Sequence, residues 1–430
     1  MILVYTHKVT PRLSYIFKQV FVRVIKVPVE FTLEISEFIA HTGPKFSYSK
    51  KALGNEIHVR SHELLFEQGI NDISINMSSW NEIPCFFMNN PQGVIPFDLF
   101  AASFYLISRY EEYLPFVQDT NERFPATESL AYKEGFLQRP LVDIWALQFK
   151  EILAKKFPDF KFKERKFEII STIDVDNVFA YKHKGFVRNL GGFCKDFFTL
   201  KIGRLIERTL VLLRLRNDPY DTFNEIISLS KSKKIKTIFF FLVGDYTTYD
   251  TNVSSSNNAY RSLIKSMADY VEVGLHPSYY TMKNSDKLKK EKNKLEQIVN
   301  QPMHKSRQHF LRVKLPETYQ NLIDLDVTED HSMGYAKEMG FRASTCTPFY
   351  FYDLDFEIQT PLKIFPFAIM DVTLNDYQGH VPAVASVKIQ ELKNEVRKVN
   401  GTFITLFHNE SLSENESWKD WKKVYESIFD

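Results

Sequence analysis

The chain has 430 residues, 44% hydrophobic and 25% charged, with a net charge of +2. That length calls for two domains, and the composition is that of a soluble globular protein. With no acidic or basic tail, nucleic acid is disfavoured as the main partner.

Aromatic residues make up 15%, with 38 Phe and 21 Tyr. Phe at this level fits thick cores, and Tyr in excess is common where sugars are stacked. Cys85, Cys194 and Cys346 are odd in number and far apart, so neither a disulfide framework nor a CxxC zinc site is expected. A reducing, cytoplasmic setting is the simplest expectation. The N-terminal MILVYTHKVTPRL has no sustained apolar core and no small-residue cleavage site, so no signal peptide is expected. No run reaches the roughly 18 apolar residues of a membrane-spanning helix.

In chain order, Ile2–Tyr5 reads as a strand, and a helix is expected from about Pro11. The stretch 22–35 (VRVIKVPVEFTLEI) alternates as strands do, and Pro28 marks an edge or a break. Short strands are expected at Glu56–Val59 and Asp72–Asn76. A helix is predicted over Asp98–Tyr113, capped by Asp98, with Arg109, Glu111 and Glu112 on a solvated or domain-facing side. A second helix, Leu141–Lys156, ends before Pro158. The domain boundary is placed next, giving a mixed α/β unit over 1–165 and a second unit over 166–430. Residues 1–165 show no catalytic constellation.

From Phe167 short apolar strands alternate with amphipathic helices. Strands are expected at Ile169–Asp174, Thr237–Val243, Val271–His276, Ser306–Leu311, Phe341–Ser344, Phe365–Asp371 and Thr402–His408. Helices are expected at about Thr222–Lys233, Asn258–Ala268, Asp286–Asn300, Pro316–Leu325, Val384–Val399 and Glu416–Phe429. Ser413 and Glu416 stand at capping-box spacing. Repeated β-then-α predicts a parallel sheet of the size of a (β/α) barrel, with a doubly wound open sheet as the other architecture.

The stretch Glu168–Asn177, EIISTIDVDN, is the most informative. A strand rich in Ile and buried on both faces ends in Asp174 and Asp176, whose side chains share one side at i and i+2. Two like charges there need a compensating cation, with one carboxylate left free as a base; one Asp would otherwise serve as a helix N-cap. The ends of the other strands carry His276, Arg307, His309, Asp371 and His408. Three of the chain's 11 histidines thus close or sit within short strands, where parallel folds build their sites.

Taken together these pieces resemble the polysaccharide deacetylase (NodB-homology, carbohydrate esterase 4) family, in its bacterial subgroup with an extra N-terminal domain. The resemblance covers roughly residues 167–410 and implies a distorted (β/α) barrel. STIDVDN resembles the first family motif, which makes Asp174 the general base and Asp176 a metal ligand. GLHPSYY resembles the second, with His276 as its first metal histidine. SRQHFLR stands in place of the arginine motif, with Arg307 orienting the base. FPFAIMD and TLFHNE supply Asp371 and the general acid His408. Val175 separates aspartates that the family keeps adjacent, Pro277 replaces Ser or Thr, and Tyr280 stands where the second metal histidine belongs. His309 is the expected replacement, on the reasoning that it shares a strand face with Arg307.

The resemblance implies a hydrolase that removes the acetyl group from an N-acetylated sugar or glycan with a divalent metal, most simply zinc. A catalytically silent carbohydrate-binding or assembly protein of the same fold is one rival. A metal-free glycosidase with two carboxyls flanking the sugar is the other. One insertion, Tyr181–Arg216, holds nine Lys/Arg against two acids. It is read first as a helix packed on the barrel with a solvated basic face. Its functional readings are a lid, or a peripheral contact for anionic lipid or a lipid-linked glycan through 182–216.

Overall fold

The computed structural model describes residues 1–430, the side chain of Glu416 excepted. The first half is built on a small parallel sheet. β1 (Ile2–Thr6) lies between β2 (Val29–Thr32) and β3 (Lys45–Ser49), and β4 (His58–Arg60) extends it in the order β2-β1-β3-β4. Thr10 caps α1 (Pro11–Phe17) by accepting the Leu13 N–H at 3.1 Å. The helix does not stop at Phe17 but runs on as a π-helical segment, Lys18–Ile25. Val22–Ile25, expected as strand, is therefore helical. Ile16, Val20 and Val24 follow the helical period and are fully buried, and that burial outweighs the β-propensity of valine. Pro28 directly precedes the edge strand β2, as its missing N–H requires. Ile35, expected as the end of that run, instead opens the short helix α2 (Ile35–Ala40), and Asp72–Asn76 is a loop rather than a strand. A hairpin of β5 (Ser78–Trp80) and β6 (Ile83–Cys85) follows.

Asp98 caps α3 (Leu99–Ile107), its Oδ1 accepting the Phe100 and Ala101 N–H groups at 3.0 Å each. The expected extension to Tyr113 fails because Arg109 turns left-handed, at φ 56°. That turn places its guanidinium 2.7 Å from both Glu111 and Glu112. Arg342, from the second half, donates to Glu112 from the other side at 2.8 and 2.5 Å. These charges face the second half and are buried. After α4 (Leu130–Lys133), α5 (Leu141–Lys156) repeats the arrangement. Its buried Asp143 pairs with Arg165 at 2.9 Å and accepts from Thr345 Oγ1 and the Cys346 N–H at 2.6 and 3.0 Å. One apolar core takes in residues of both halves, from Ile2 to Ile428, and a second, smaller cluster around Ile238, Phe240, Phe367 and Leu406 lies within the second half.

The second half carries β7 (Glu168–Val175), β8 (Lys236–Phe241), β9 (Glu272–Leu275), β10 (Lys305–Ser306), β11 (Glu329–Asp330), β12 (Phe349–Asp353), β13 (Ile358–Ile364), β14 (Ile369–Met370) and β15 (Thr402–His408). They form one sheet in the order β12-β13-β11-β10-β9-β8-β7-β15-β14, parallel except for the β12–β13 hairpin. The α/β class and the parallel sheet are as expected. The ladder does not close: β12 and β14 are its ends. Isolated backbone bonds, Phe367 N–H to Met333 O at 3.1 Å and Gly340 N–H to Ala368 O at 2.8 Å, bridge loops across the gap.

The crossovers hold α6 (Phe186–Phe198), α7 (Ile202–Leu212), α8 (Phe223–Lys233), α9 (Asn258–Ala268), α10 (Ser285–Val299), α11 (Glu317–Ile323), α12 (Pro382–Lys398) and α13 (Trp421–Ser427). Several expected strands are shorter or absent. Phe341–Ser344 is a turn, β10 keeps only Ser306 of Ser306–Leu311, and β14 keeps two residues of Phe365–Asp371. The last helix starts at Trp421, not Glu416; the proposed Ser413–Glu416 capping box involves a side chain outside the described ones. The insertion is not a helix with its basic face alone in water. α6 turns Asn189 and Asp196 toward the protein and most of its apolar side chains outward, while α7 buries Val211 and leaves Ile202 and Ile206 exposed. Among the described residues no helix is long and apolar enough to cross a membrane.

Burial pushes the Glu112 carboxyl upward, but Arg342 and Arg109 overcome it and hold it below the ordinary range. A depressed carboxyl stabilises the fold above its unfolded value of about 4.3, and that contribution fades as pH falls through the folded value. Glu112→Gln leaves the buried Arg342 guanidinium without its carboxylate partner and Arg109 with Glu111 alone. It is expected to cost about 3–5 kcal/mol in denaturant unfolding and to flatten the acid limb of stability. An unfolding midpoint equal to wild type would refute that weight.

Candidate metal centre

The site lies where the parallel strands end. Ile173 and Val175 point into the core, so the alternate residues Asp174 and Asp176 emerge together on the other side. In the β15–β7 register His408 stands opposite Asp174. His276 directly follows β9, and Arg307 directly follows β10. Sequence reasoning therefore named residues that the sheet brings to one rim.

His276 Nε2 lies 3.0 Å from Asp176 Oδ1, and His309 Nε2 lies 3.2 Å from Asp176 Oδ2. The three residues each offer a ligand atom, and these atoms lie within 4.8 Å of one another. His309 reaches this point by a different route from the one expected. It is not on a strand but opens a 3-10 turn, His309–Leu311, in which Phe310 and Leu311 are both left-handed at φ 58° and 55°. The face-sharing argument with Arg307 thus fails, although the residue it selected is in place. Tyr280 is 47% exposed and its ring packs against Tyr249 and Tyr279.

The outer ring nitrogens decide what the inner ones can do. His276 Nδ1 is 2.5 Å from the Arg307 carbonyl, and His309 Nδ1 is 2.8 Å from Asp250 Oδ1. A carbonyl and a carboxylate only accept, so each Nδ1 carries its proton. In a neutral ring this leaves both Nε2 lone pairs aimed at Asp176. Asp176 Oδ1 is itself buried without a hydrogen bond. Two imidazole lone pairs and a carboxylate converging with no proton among them suit a divalent cation, with room left for a further ligand. Where no cation balances the site, protons do so. Burial disfavours the charged ring, yet Asp176 and Asp250 push His309 up to about 9. The imidazoles in turn hold Asp176 well below the carboxylate range, against its burial.

Asp174 is fixed separately. Arg307 Nη1 donates to Thr172 Oγ1 at 2.7 Å and to Asp174 Oδ1 at 3.2 Å, while its Nε donates to the His331 carbonyl at 2.9 Å. Its guanidinium lies between the rings of Phe240 and Phe367, 4.9 and 5.4 Å from their centroids. His408 is held by Asp371, whose Oδ1 is 2.8 Å from Nδ1 and whose Oδ2 accepts the His408 N–H at 2.7 Å. Burial opposes the imidazolium, but Asp371 and the site aspartates raise it well above its ordinary value. His408 Nε2 faces the cleft, 3.6 Å from Asp176 Oδ2.

The cleft has a volume of about 230 Å³. Two of its lining residues, Glu410 and Arg123, and one supporting group, Asp250 behind His309, were missed from the sequence. Asp250 sits in a polar loop and looks like any turn aspartate. Glu410 lies two residues after His408; desolvation pushes its carboxyl up to about 7, with the His408 charge opposing. Arg123 comes from the first half, where no site residue was expected, and donates to the Phe310 carbonyl at 2.7 Å. Only the i+2 spacing of Glu410 offered a signal.

Residues 2–158 match a family of unknown function, DUF7033. No curated protein matches the chain. Among solved structures, it is similar to a Mycobacterium smegmatis protein assigned to the polysaccharide deacetylases. That likeness has 12% identity and a TM-score of 0.41, over 63% of this chain and 86% of the other. The polysaccharide deacetylase of Bacillus cereus is similar at 12% identity and a TM-score of 0.31, over 61% and 86%. A wild-type carbohydrate esterase 4 family pseudoenzyme of Bacillus anthracis is similar at 14% identity and a TM-score of 0.29, over 61% of each chain.

Metal titration of four variants tests the centre. His276→Ala and His309→Ala are expected to cost comparable, large amounts of zinc affinity, and Tyr280→Phe almost none. Asp250→Ala, which removes the Nδ1 partner of His309, is expected to weaken binding about 10–100-fold. Unchanged affinity in His309→Ala would remove it from the ligand set.

Proposed function

We propose that the chain is a metal-dependent hydrolase that removes the acetyl group from an N-acetylated amino sugar or glycan. One observation carries the reading. The Asp176–His276–His309 cluster shares its cleft with a second carboxylate held by an arginine and a second imidazole held by an aspartate. Amide hydrolysis asks for an activated water, a polarised carbonyl and a proton for the leaving amine. A divalent ion on Asp176, His276 and His309, zinc by its ligand set, would supply the Lewis acidity for the first two.

The remaining groups divide the proton work. Arg307 holds Asp174 by Oδ1, which leaves Oδ2 to take the proton of the water. His408 gives its Nδ1 proton to the hydrogen bond with Asp371, and that carboxylate favours a second proton on Nε2. From there it passes to the departing nitrogen. The open, bridged sheet is read in this proposal as a distorted (β/α) barrel spanning 166–430, with 1–165 as an accessory unit. Cytoplasmic residence is proposed with it, in keeping with three free cysteines.

Acetate release from a panel of N-acetylated glycans, with and without chelator, tests the reading. Release that a chelator abolishes is expected. Asp174→Asn should lose turnover and keep its metal, and His408→Ala should lower kcat by about 10²–10⁴. Stoichiometric metal with no acetate from any glycan would favour the silent glycan-binding protein. Release insensitive to chelation would overturn the metal mechanism.

A further inference from the structure

Helices α6 and α7 follow β7 and the adjoining Asp176; the amphipathy of α6 is inverted, and α7, which buries Val211, adds Ile202 and Ile206 to the exposed apolar side. The side of α6 that faces the protein is polar. Asn189 and Asp196 are buried, and Arg188 donates to the carbonyls of Thr251 and Asn252 at 2.5 and 3.2 Å. From α7, Arg208 reaches Asp196 at 2.7 Å, and Glu207 accepts from the Tyr181 hydroxyl at 3.0 Å. The outward side is apolar. Phe186, Leu190, Phe197 and Phe198 of α6 and the segment after it, with Ile202 and Ile206 of α7, are 49–81% exposed. An ordinary surface helix does the reverse, and a contiguous apolar stripe in water marks an interaction surface.

The charges around the stripe say what it fits. Residues 182–216 hold nine Lys/Arg and two acids, and both acids, Asp196 and Glu207, are turned inward. Lys195, Lys201 and Arg214 are exposed beside the apolar side chains. We propose that α6 and α7 form a docking surface for an anionic lipid bilayer, with the stripe in the acyl boundary and the cations at the headgroups. A second copy of the chain is the poorer occupant, because two-fold pairing sets these cations against their own equivalents. Arg188 ties α6 to Thr251 and Asn252, next to Asp250, the partner of His309. Docking therefore places the rim of the cleft close to the bilayer. That a membrane-held acetamido glycan is the substrate rests on the deacetylase reading; the docking surface does not.

Flotation of the full chain with vesicles tests it, using phosphatidylcholine alone and phosphatidylcholine mixed with phosphatidylglycerol. The chain is expected to float with the mixed vesicles only, and less at high salt. The double variant Phe197→Glu, Phe198→Glu should stay soluble and unfloated with an unchanged circular dichroism spectrum. Lys195→Gln and Lys201→Gln should each lower partitioning roughly fivefold. Three results overturn the proposal: no flotation of wild type with either vesicle, flotation that the double variant retains, or a wild-type dimer that the double variant splits while vesicles bind neither. Acetate release without flotation would remove the docking surface and leave the site. Flotation without acetate release would keep the surface and remove the site.

Discussion

Two carboxylates at the end of one buried strand must each be compensated, and much of the second half is arranged to do so. Like charges two residues apart at the end of β7, Asp174 within it and Asp176 just past it, repel, and the desolvated rim strengthens that repulsion. The structure separates the two compensations. Asp174 receives a fixed cation, a guanidinium clamped between two aromatic rings and tied to Thr172 and the His331 carbonyl. Asp176 receives two imidazoles whose charge depends on what else is bound. One carboxylate is thus permanently paired, and the other is left with an unsatisfied oxygen.

The parallel register makes this economical in chain. Strands that rise together end together, so the residues directly after β7, β9 and β10 and the last residue of β15 arrive at one level without long loops. The second layer then fixes orientation: the Arg307 carbonyl for His276, Asp250 for His309 and Asp371 for His408. Each holds an Nδ1, so every imidazole of the site presents the same face, Nε2, to the cleft.

How much of this the sequence disclosed follows from the kind of signal each part emits. β15 and α9 are bounded by their own residues, an apolar run ending in His408 and a helix capped by Asn257, and both were legible to the residue. β10, β11 and β14 have two residues each and depend on the strands that pair with them; the apolar pattern overlapped β10 and β14 but overstated their lengths, and it gave no sign of β11. Val22–Ile25 misled because valine favours strands, while its burial comes from a helical face. His309 was selected for a strand face it was expected to share with Arg307, yet its placement depends on a left-handed turn that a Phe-Leu pair does not signal. The inversion of α6 was illegible for a different reason. Periodicity shows that a helix has two faces, not which one meets the protein.

That left-handed turn has a consequence for how the two halves can change. Phe310 and Leu311 each sit in a region that costs a non-glycine residue about 1–2 kcal/mol, directly beside His309. The Phe310 carbonyl is held there by Arg123, a residue of the first half, itself fixed by Asp119. The turn behaves as a sprung latch whose catch belongs to the other half. Exchanging the first 165 residues for those of a relative would therefore be more than a change of attachment. Unless the incoming segment brought an equivalent cation, the turn would relax and carry His309 away from Asp176, so the two halves must drift through sequence space as a matched pair.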